Sequence, residues 1–181
     1  MLTLFGFSLS GNVYKVKLLL AKLKLPFVQV EVSAIEGETG GKDFARLNPL
    51  GKIPVVLFPD GSTLSESGAI LYRLAQGSEY WPDKVDAQTQ ALRWMFWEQN
   101  VHEPVFAFNR YMLSIRKDLT GSLAKVRANH QKGAGLLAQM DAYLVDNAWF
   151  AGDMLSIADI MLYPYTATAN EGGFDLTRYR H

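Results

Sequence analysis

Hydrophobic periodicity changes once along this chain, near residue 86, and that change limits the folds open to it. Before it, apolar residues recur in turn at strand and helix spacing; after it, only helical spacing is found. Residues 2–7 are short and apolar and stop at the polar turn Ser8, Leu9, Ser10, Gly11, Asn12, which reads as a buried strand. Val13, Val16, Leu19, Leu20 and Leu23 then recur at helical spacing, with Lys15, Lys17, Lys22 and Lys24 between them. Pro26 stops that helix. Over residues 27–32, Val28, Val30 and Val32 alternate with Gln29 and Glu31, the period of a half-buried strand. A Gly-rich loop at 37–41 and a short helix at 43–47 lead to a strand that starts at Ile53 and Pro54. Pro59, Asp60, Gly61 and Ser62 form a hairpin turn before a short strand at Thr63 and Leu64. Ser65, Glu66 and Ser67 open a helix with Ile70, Leu71 and Leu74 on one face.

Residues 87–116 are helical in period, and Pro104 within them is expected to kink or split the helix. Residues 122–146 form a second long helix, weakened by Gly133 and Gly135. Ser156 is an N-cap for a third, with Asp159 placed to reach back and Leu155 and Ile160 as a hydrophobic staple. The expected fold class is α/β plus all-α. Its divisions are a first domain at 1–77, a linker at 78–86 and an all-helical domain at 87–181. Trp94 and Trp97 are read as packing between the domains.

Composition narrows the chemistry. The chain has no cysteine, which excludes a disulfide framework, a thiolate metal site and any cysteine nucleophile. Any thiol used here arrives with a ligand. Lys+Arg and Asp+Glu are 18 each, so no net charge draws the chain to nucleic acid or to an anionic membrane. Three scattered histidines do not make a metal site. The N-terminus has no basic and then apolar leader pattern, and no apolar run is longer than four residues, the one at 18–21 lying between lysines. A soluble cytoplasmic protein is the expectation.

Three segments of the first domain carry chemistry. Ser8, Ser10 and Asn12 stand at a helix start, where orphan N–H groups and the positive helix end favour an anion, a thiolate included. The same residues also serve as ordinary caps. Ile53 and Pro54 precede a strand; a cis bond there would turn the Ile53 main chain toward an extended peptide-like ligand, although X–Pro bonds in general are trans. Ser65, Glu66 and Ser67 offer amides and a hydroxyl to a carboxylate, and Glu66 offers a partner for an ammonium.

These segments sit in four blocks: residues 10–16 (SGNVYKV), 48–54 (NPLGKIP), 64–70 (LSESGAI) and 151–159 (AGDMLSIAD). In that order they resemble the cytosolic glutathione transferases, in particular serine-type bacterial members. The resemblance implies a thioredoxin-like, glutathione-binding first domain and an all-helical second one. It implies that Pro54 is cis, that the Ile53 main chain pairs with glutathione, that Glu66 and Ser67 hold the γ-glutamyl end and that Lys52 reaches the glycine carboxylate. Ser10 matches the catalytic hydroxyl; Asn12 departs from the proline or cysteine of several classes, which leaves Ser10, Asn12 or both as the sulfur contact and Ser8 as a third candidate. Ser156 and Asp159 match the family's folding cap.

The implied function is conjugation of glutathione, as co-substrate, to a small apolar electrophile in detoxification, by a cytoplasmic homodimer without metal, nucleic acid or membrane. An electrophile pocket is expected between the domains, with Phe7, Leu9, Phe106, Phe108, Tyr111 and Met112 as candidate lining. The rival readings are a glutathione-dependent isomerase, a peroxidase or disulfide reductase, and a non-catalytic glutathione-binding module. Residues 172–181 stand where the family continues through one or two further helices, so the second domain reads as truncated.

Overall fold

Strand β1 (Leu2–Phe5) pairs in parallel with β2 (Phe27–Val30) through the crossover helix α1 (Gly11–Lys22), and antiparallel with β3 (Val55–Leu57) on its other side. Strand β4 (Thr63–Ser65) completes a mixed sheet of order β2-β1-β3-β4. Helix α2 (Lys42–Leu47) precedes β3 and helix α3 (Ser67–Ala75) follows β4. This computed structural model describes all 181 residues and separates them into two units, Met1–Trp81 and Pro82–His181.

Side chains alternate across the sheet and so serve two cores. Leu4 and Val56 pack with Val13, Val16 and Leu20 of α1 and Ile70 of α3. Phe5 and Val55 face the other way, with Val32, Leu47 and Phe44 of α2. The valines of β2 lie on this second face. Val32 is buried, but Val28 and Val30 are 43% and 38% exposed, while Phe27 packs with the α1 and α3 core. The period of this strand is as expected; its valines are largely uncovered.

The hairpin turn forms as its residues require. Gly61 takes φ +85°, and Asp60 accepts the Ser62 N–H and hydroxyl at 2.9 and 2.6 Å. Arg73 lies 3.6 Å over the Phe58 ring beside this turn.

The second unit contains no strand. Helix α4 (Val85–Trp97) runs through a π-helical turn (Glu98–His102) into α5 (Glu103–Arg110), which ends in another π-helical turn (Tyr111–Ile115). Pro104 sits in the first turn of α5, and the wide π-helical turn before it takes the place of the expected kink. Trp94 packs edge-on against Trp97, Tyr143 and Phe150, all within this unit. Helix α6 (Leu123–Leu144) lies against α5, and the buried Asn129 amide donates to Asn109 Oδ1 at 3.0 Å. Gly133 of α6 makes room for the Phe174 ring, which a Cβ at this position would strike. Sequence alone marks Gly133 as a weakness; in the fold it is a socket. Phe174 follows helix α7 (Ile157–Ala167) and a short 3-10 turn, and Leu176 and Tyr179 pack on the same core.

Helix α7 opens with a full capping box: Ala158 N–H donates to Ser156 Oγ at 3.2 Å, and Ser156 N–H donates to Asp159 Oδ2 at 2.8 Å. The other Asp159 oxygen accepts the Phe150 N–H at 2.9 Å, tying the preceding loop to the helix. No helix is long and apolar enough to cross a membrane.

Candidate functional site

Phe5 pairs with Val55, and Val55 with Ser65. This row is the last residue of β1, the first of β3 and the last of β4. The three candidate segments therefore leave the sheet at one end: residues 7–12 after β1, Ile53 and Pro54 before β3, and Glu66 and Ser67 after β4. Helices α1 and α3 both start there. Two sets of orphan N–H groups and two positive helix ends thus share one edge of the unit, an arrangement that favours a ligand with more than one negative group.

At the start of α1, Ser10 is the N-cap, and its Oγ accepts the Val13 N–H at 3.4 Å. That is the long end of a hydrogen bond. It uses only an acceptor lone pair, so the hydroxyl proton is still available for an incoming anion. Ser8 is committed elsewhere: its N–H and hydroxyl both donate to the Glu31 carboxylate at 2.7 Å, and Gln29 Nε2 donates to Ser8 Oγ at 3.0 Å. These bonds to Ser8 hold the Glu31 carboxyl below its ordinary range. Asn12 lies on the first turn of α1, and its Oδ1 accepts from Lys15 Nζ at 2.7 Å.

Lys15 is the residue that sequence reasoning missed. It falls between the apolar positions of α1, yet it is 0% exposed. The available signal is its spacing, four residues after Gly11 and four before Leu19, both buried on the same row of the helix.

The Ile53–Pro54 bond is cis, and Ile53 lies just outside the β3 ladder. The loop before it is held by buried Asn48, whose amide donates to the Lys52 carbonyl at 2.8 Å and whose Oδ1 accepts the Leu50 N–H at 3.1 Å. The Lys52 side chain is exposed. Glu66 takes φ +68° and ψ +113°, a left-handed conformation that is costly for a residue with a Cβ. Its side chain is exposed, while Ser67, the first residue of α3, is buried. A strained carboxylate residue held beside a helix start marks a binding position more strongly than either feature alone.

The apolar candidates divide. Phe7 is half-buried and Leu9 is 48% exposed, on either side of Ser8. Phe106 is 1% exposed and its ring packs at a tilt against His102 and Phe174 in the core of the helical unit, and Met112 is buried as well. Phe108 and Tyr111 are half-buried, and Lys125 Nζ lies 3.9 Å over the Phe108 ring.

Two family models match the chain: the glutathione S-transferase N-terminal domain over residues 1–76 and the C-terminal domain over 106–179. The glutathione S-transferase GstB of Escherichia coli is 31% identical over 173 residues, covering 91% of this chain and 81% of that protein. The crystal structure of a glutathione S-transferase from Pseudomonas fluorescens superposes with a TM-score of 0.95 at 40% identity, covering 98% of this chain and 89% of the other. Human glutathione transferase theta-2, solved in complex with glutathione and an unknown ligand, superposes with a TM-score of 0.87 at 25% identity over 99% of this chain and 76% of the other.

Proposed function

The chain belongs to the glutathione S-transferase family, whose ligand is glutathione, and from that premise we propose that it conjugates the glutathione thiolate to small apolar electrophiles. The observation that carries the reading is the row Phe5, Val55, Ser65, which brings two helix starts and the Ile53 main chain to one end of the sheet. The donor set fits the tripeptide. The start of α3, with the buried Ser67 hydroxyl, suits the γ-glutamyl carboxylate, and Glu66 suits its ammonium. Lys52 suits the glycine carboxylate, and the Ile53 main chain suits the cysteinyl peptide.

Glutathione supplies the thiolate, which forms a C–S bond as the leaving group departs with its electron pair. The protein's part is to make that thiolate available at neutral pH. A thiol of pKa about 8.5 is only a few per cent ionised at pH 7. The Ser10 hydroxyl and the start of α1 stabilise the anion, in a serine-type arrangement with Asn12 as a second donor. Each unit of pKa depression corresponds to about 1.36 kcal/mol of preferential thiolate stabilisation. Phe7 and Leu9, flanking this turn, are assigned to the apolar electrophile. The protein is read as a cytoplasmic homodimer acting in detoxification.

The test is a thermal-shift titration with glutathione followed by a conjugation assay with an activated aryl halide. Binding with turnover supports the transferase. Binding without turnover on any electrophile would move the reading to a non-catalytic glutathione-binding module, and turnover confined to peroxides or mixed disulfides would move it to a reductase.

A further inference from the structure

Resting on the functional reading above, we propose that Asn48 is a positioning residue for glutathione: its buried carboxamide fixes the Lys52–Ile53 peptide plane, and with it the Ile53 N–H and the root of the Lys52 side chain. The Asn48 N–H ends α2 by donating to the Phe44 carbonyl at 2.9 Å, and the Asn48 carbonyl accepts the Gly51 N–H at 3.0 Å. The side chain is buried and spans the loop: Nδ2 donates to the Lys52 carbonyl at 2.8 Å, and Oδ1 accepts the Leu50 N–H at 3.1 Å. An amide oxygen cannot serve a carbonyl, and an NH₂ cannot serve an N–H. The two partners together therefore fix the sense of the carboxamide. One side chain ties residues 48, 50 and 52 into a closed loop.

A peptide unit is planar, and in the trans form its C=O and N–H point to opposite sides of the chain. The Lys52–Ile53 bond is trans. With its carbonyl held toward buried Asn48, the Ile53 N–H is held on the opposite side, away from that side chain. The Lys52 Cα lies in the same plane, so the direction in which the exposed lysine side chain leaves is set as well. Gly51, at φ +62°, gives this loop a backbone freedom that the hydrogen bonds of Asn48 remove before any ligand arrives. Filling space does not require an amide at this position; fixing the direction of a carbonyl does. Asn48 thus acts on the two groups assigned to the cysteinyl peptide and the glycine carboxylate, and its partners include neither helix start.

The experiment compares wild type, Lys52→Ala, Asn48→Ala and Asn48→Asp. Calorimetry gives the affinity of each for glutathione and for glutathione amide, in which the glycine carboxylate is a carboxamide. Thiolate absorbance against pH gives the bound thiol pKa. Wild type should prefer glutathione by about three- to fivefold, the scale of one exposed ion pair, and Lys52→Ala should remove the preference. Asn48→Ala should remove it too with the lysine still present, and should weaken both ligands by about three- to tenfold through Ile53. The bound thiol pKa should stay within about half a unit, since the start of α1 is untouched. A merely structural role would weaken both ligands equally and keep the wild-type preference. Asn48→Asp keeps the size and the acceptor for the Leu50 N–H but sets a carboxylate against the Lys52 carbonyl, so the preference is lost here as well; this variant decides the matter if Asn48→Ala does not fold. A wild-type preference in either Asn48 variant would overturn the proposal, as would an Ile53 amide resonance of the wild-type protein that glutathione leaves unmoved. If wild type binds glutathione and its amide equally, the proposal falls while the functional reading stands; if it binds neither, the reading itself fails.

Discussion

Ser8 and Glu31 are joined by two hydrogen bonds of 2.7 Å, in which one carboxylate takes both the main-chain N–H and the hydroxyl of the serine. The link fastens the turn after β1 to the residue just beyond β2, and so holds the backbone that leads to Ser10. It also removes Ser8 from the set of hydroxyls available to a ligand. Replacing Ser8 by Ala should leave the bound glutathione thiol pKa unchanged while loosening this turn, visible as faster exchange of the main-chain amides of residues 8–10.

The same pair sets a pH dependence. Glu31 binds its proton less readily in the folded state, because Ser8 hydrogen-bonds its charged form. The stabilisation is therefore complete above the ordinary glutamate range of about 4.3 and is lost as the pH falls through the lower folded-state value. Glu31→Gln should flatten the acid limb of a melting-temperature profile and leave the neutral region nearly level. The side chain is exposed, so the change is small.

Gly133 and Gly135 stand two residues apart on α6 and predict opposite outcomes. Gly133→Ala forces a Cβ into the Phe174 ring and should cost about 1–3 kcal/mol. Gly135→Ala meets open space and should stabilise by up to about 1 kcal/mol, the helix-propensity difference. Urea unfolding of the two variants separates a packing socket from a plain helix weakness.

Ser156→Ala should cost about 0.5–2 kcal/mol through loss of the cap. Asp159→Ala should cost more, since the N–H groups of Phe150 and Ser156 both lose their acceptor. Neither change should move glutathione affinity by more than about twofold, because both sites lie in the helical unit. A calorimetric titration alongside thermal unfolding checks the pair.

Glu66→Gly relieves a left-handed φ but adds backbone entropy to the unfolded chain, two effects of about 1 kcal/mol that oppose each other. Stability should stay within about 1 kcal/mol while glutathione binding weakens, as the ammonium partner is gone. Glu66→Gln should likewise weaken binding more than it alters the bound thiol pKa. Equal affinity in both variants would remove Glu66 from the site.

The elements that were legible in the sequence are those with strong local signals. The Ser156 cap, the Asp60–Gly61 turn and the strand that follows Pro54 are set by side-chain chemistry within a few residues. The burial of β2 did not follow, because alternation gives two faces but not which of them the rest of the chain covers, and Val28 and Val30 are 43% and 38% exposed. Lys15 was hidden for a related reason: a lysine between apolar positions reads as solvated unless the second buried row of α1 is recognised. Phe106 shows the converse limit, since helical spacing cannot tell a pocket wall from a core ring. Generic statistics favour a trans Ile53–Pro54 bond, and only the resemblance of residues 48–54 to a family block indicated the cis bond seen in the fold.

On the proposed reading, this fold acidifies a thiol it does not itself contain. Its most direct test is the pH titration of thiolate absorbance for glutathione bound to wild type and to Ser10→Ala. The bound thiol should titrate about one to two units below the free value of about 8.5 in the wild type, and return toward that value in Ser10→Ala. A bound thiol that titrates like free glutathione in the wild-type protein would contradict it.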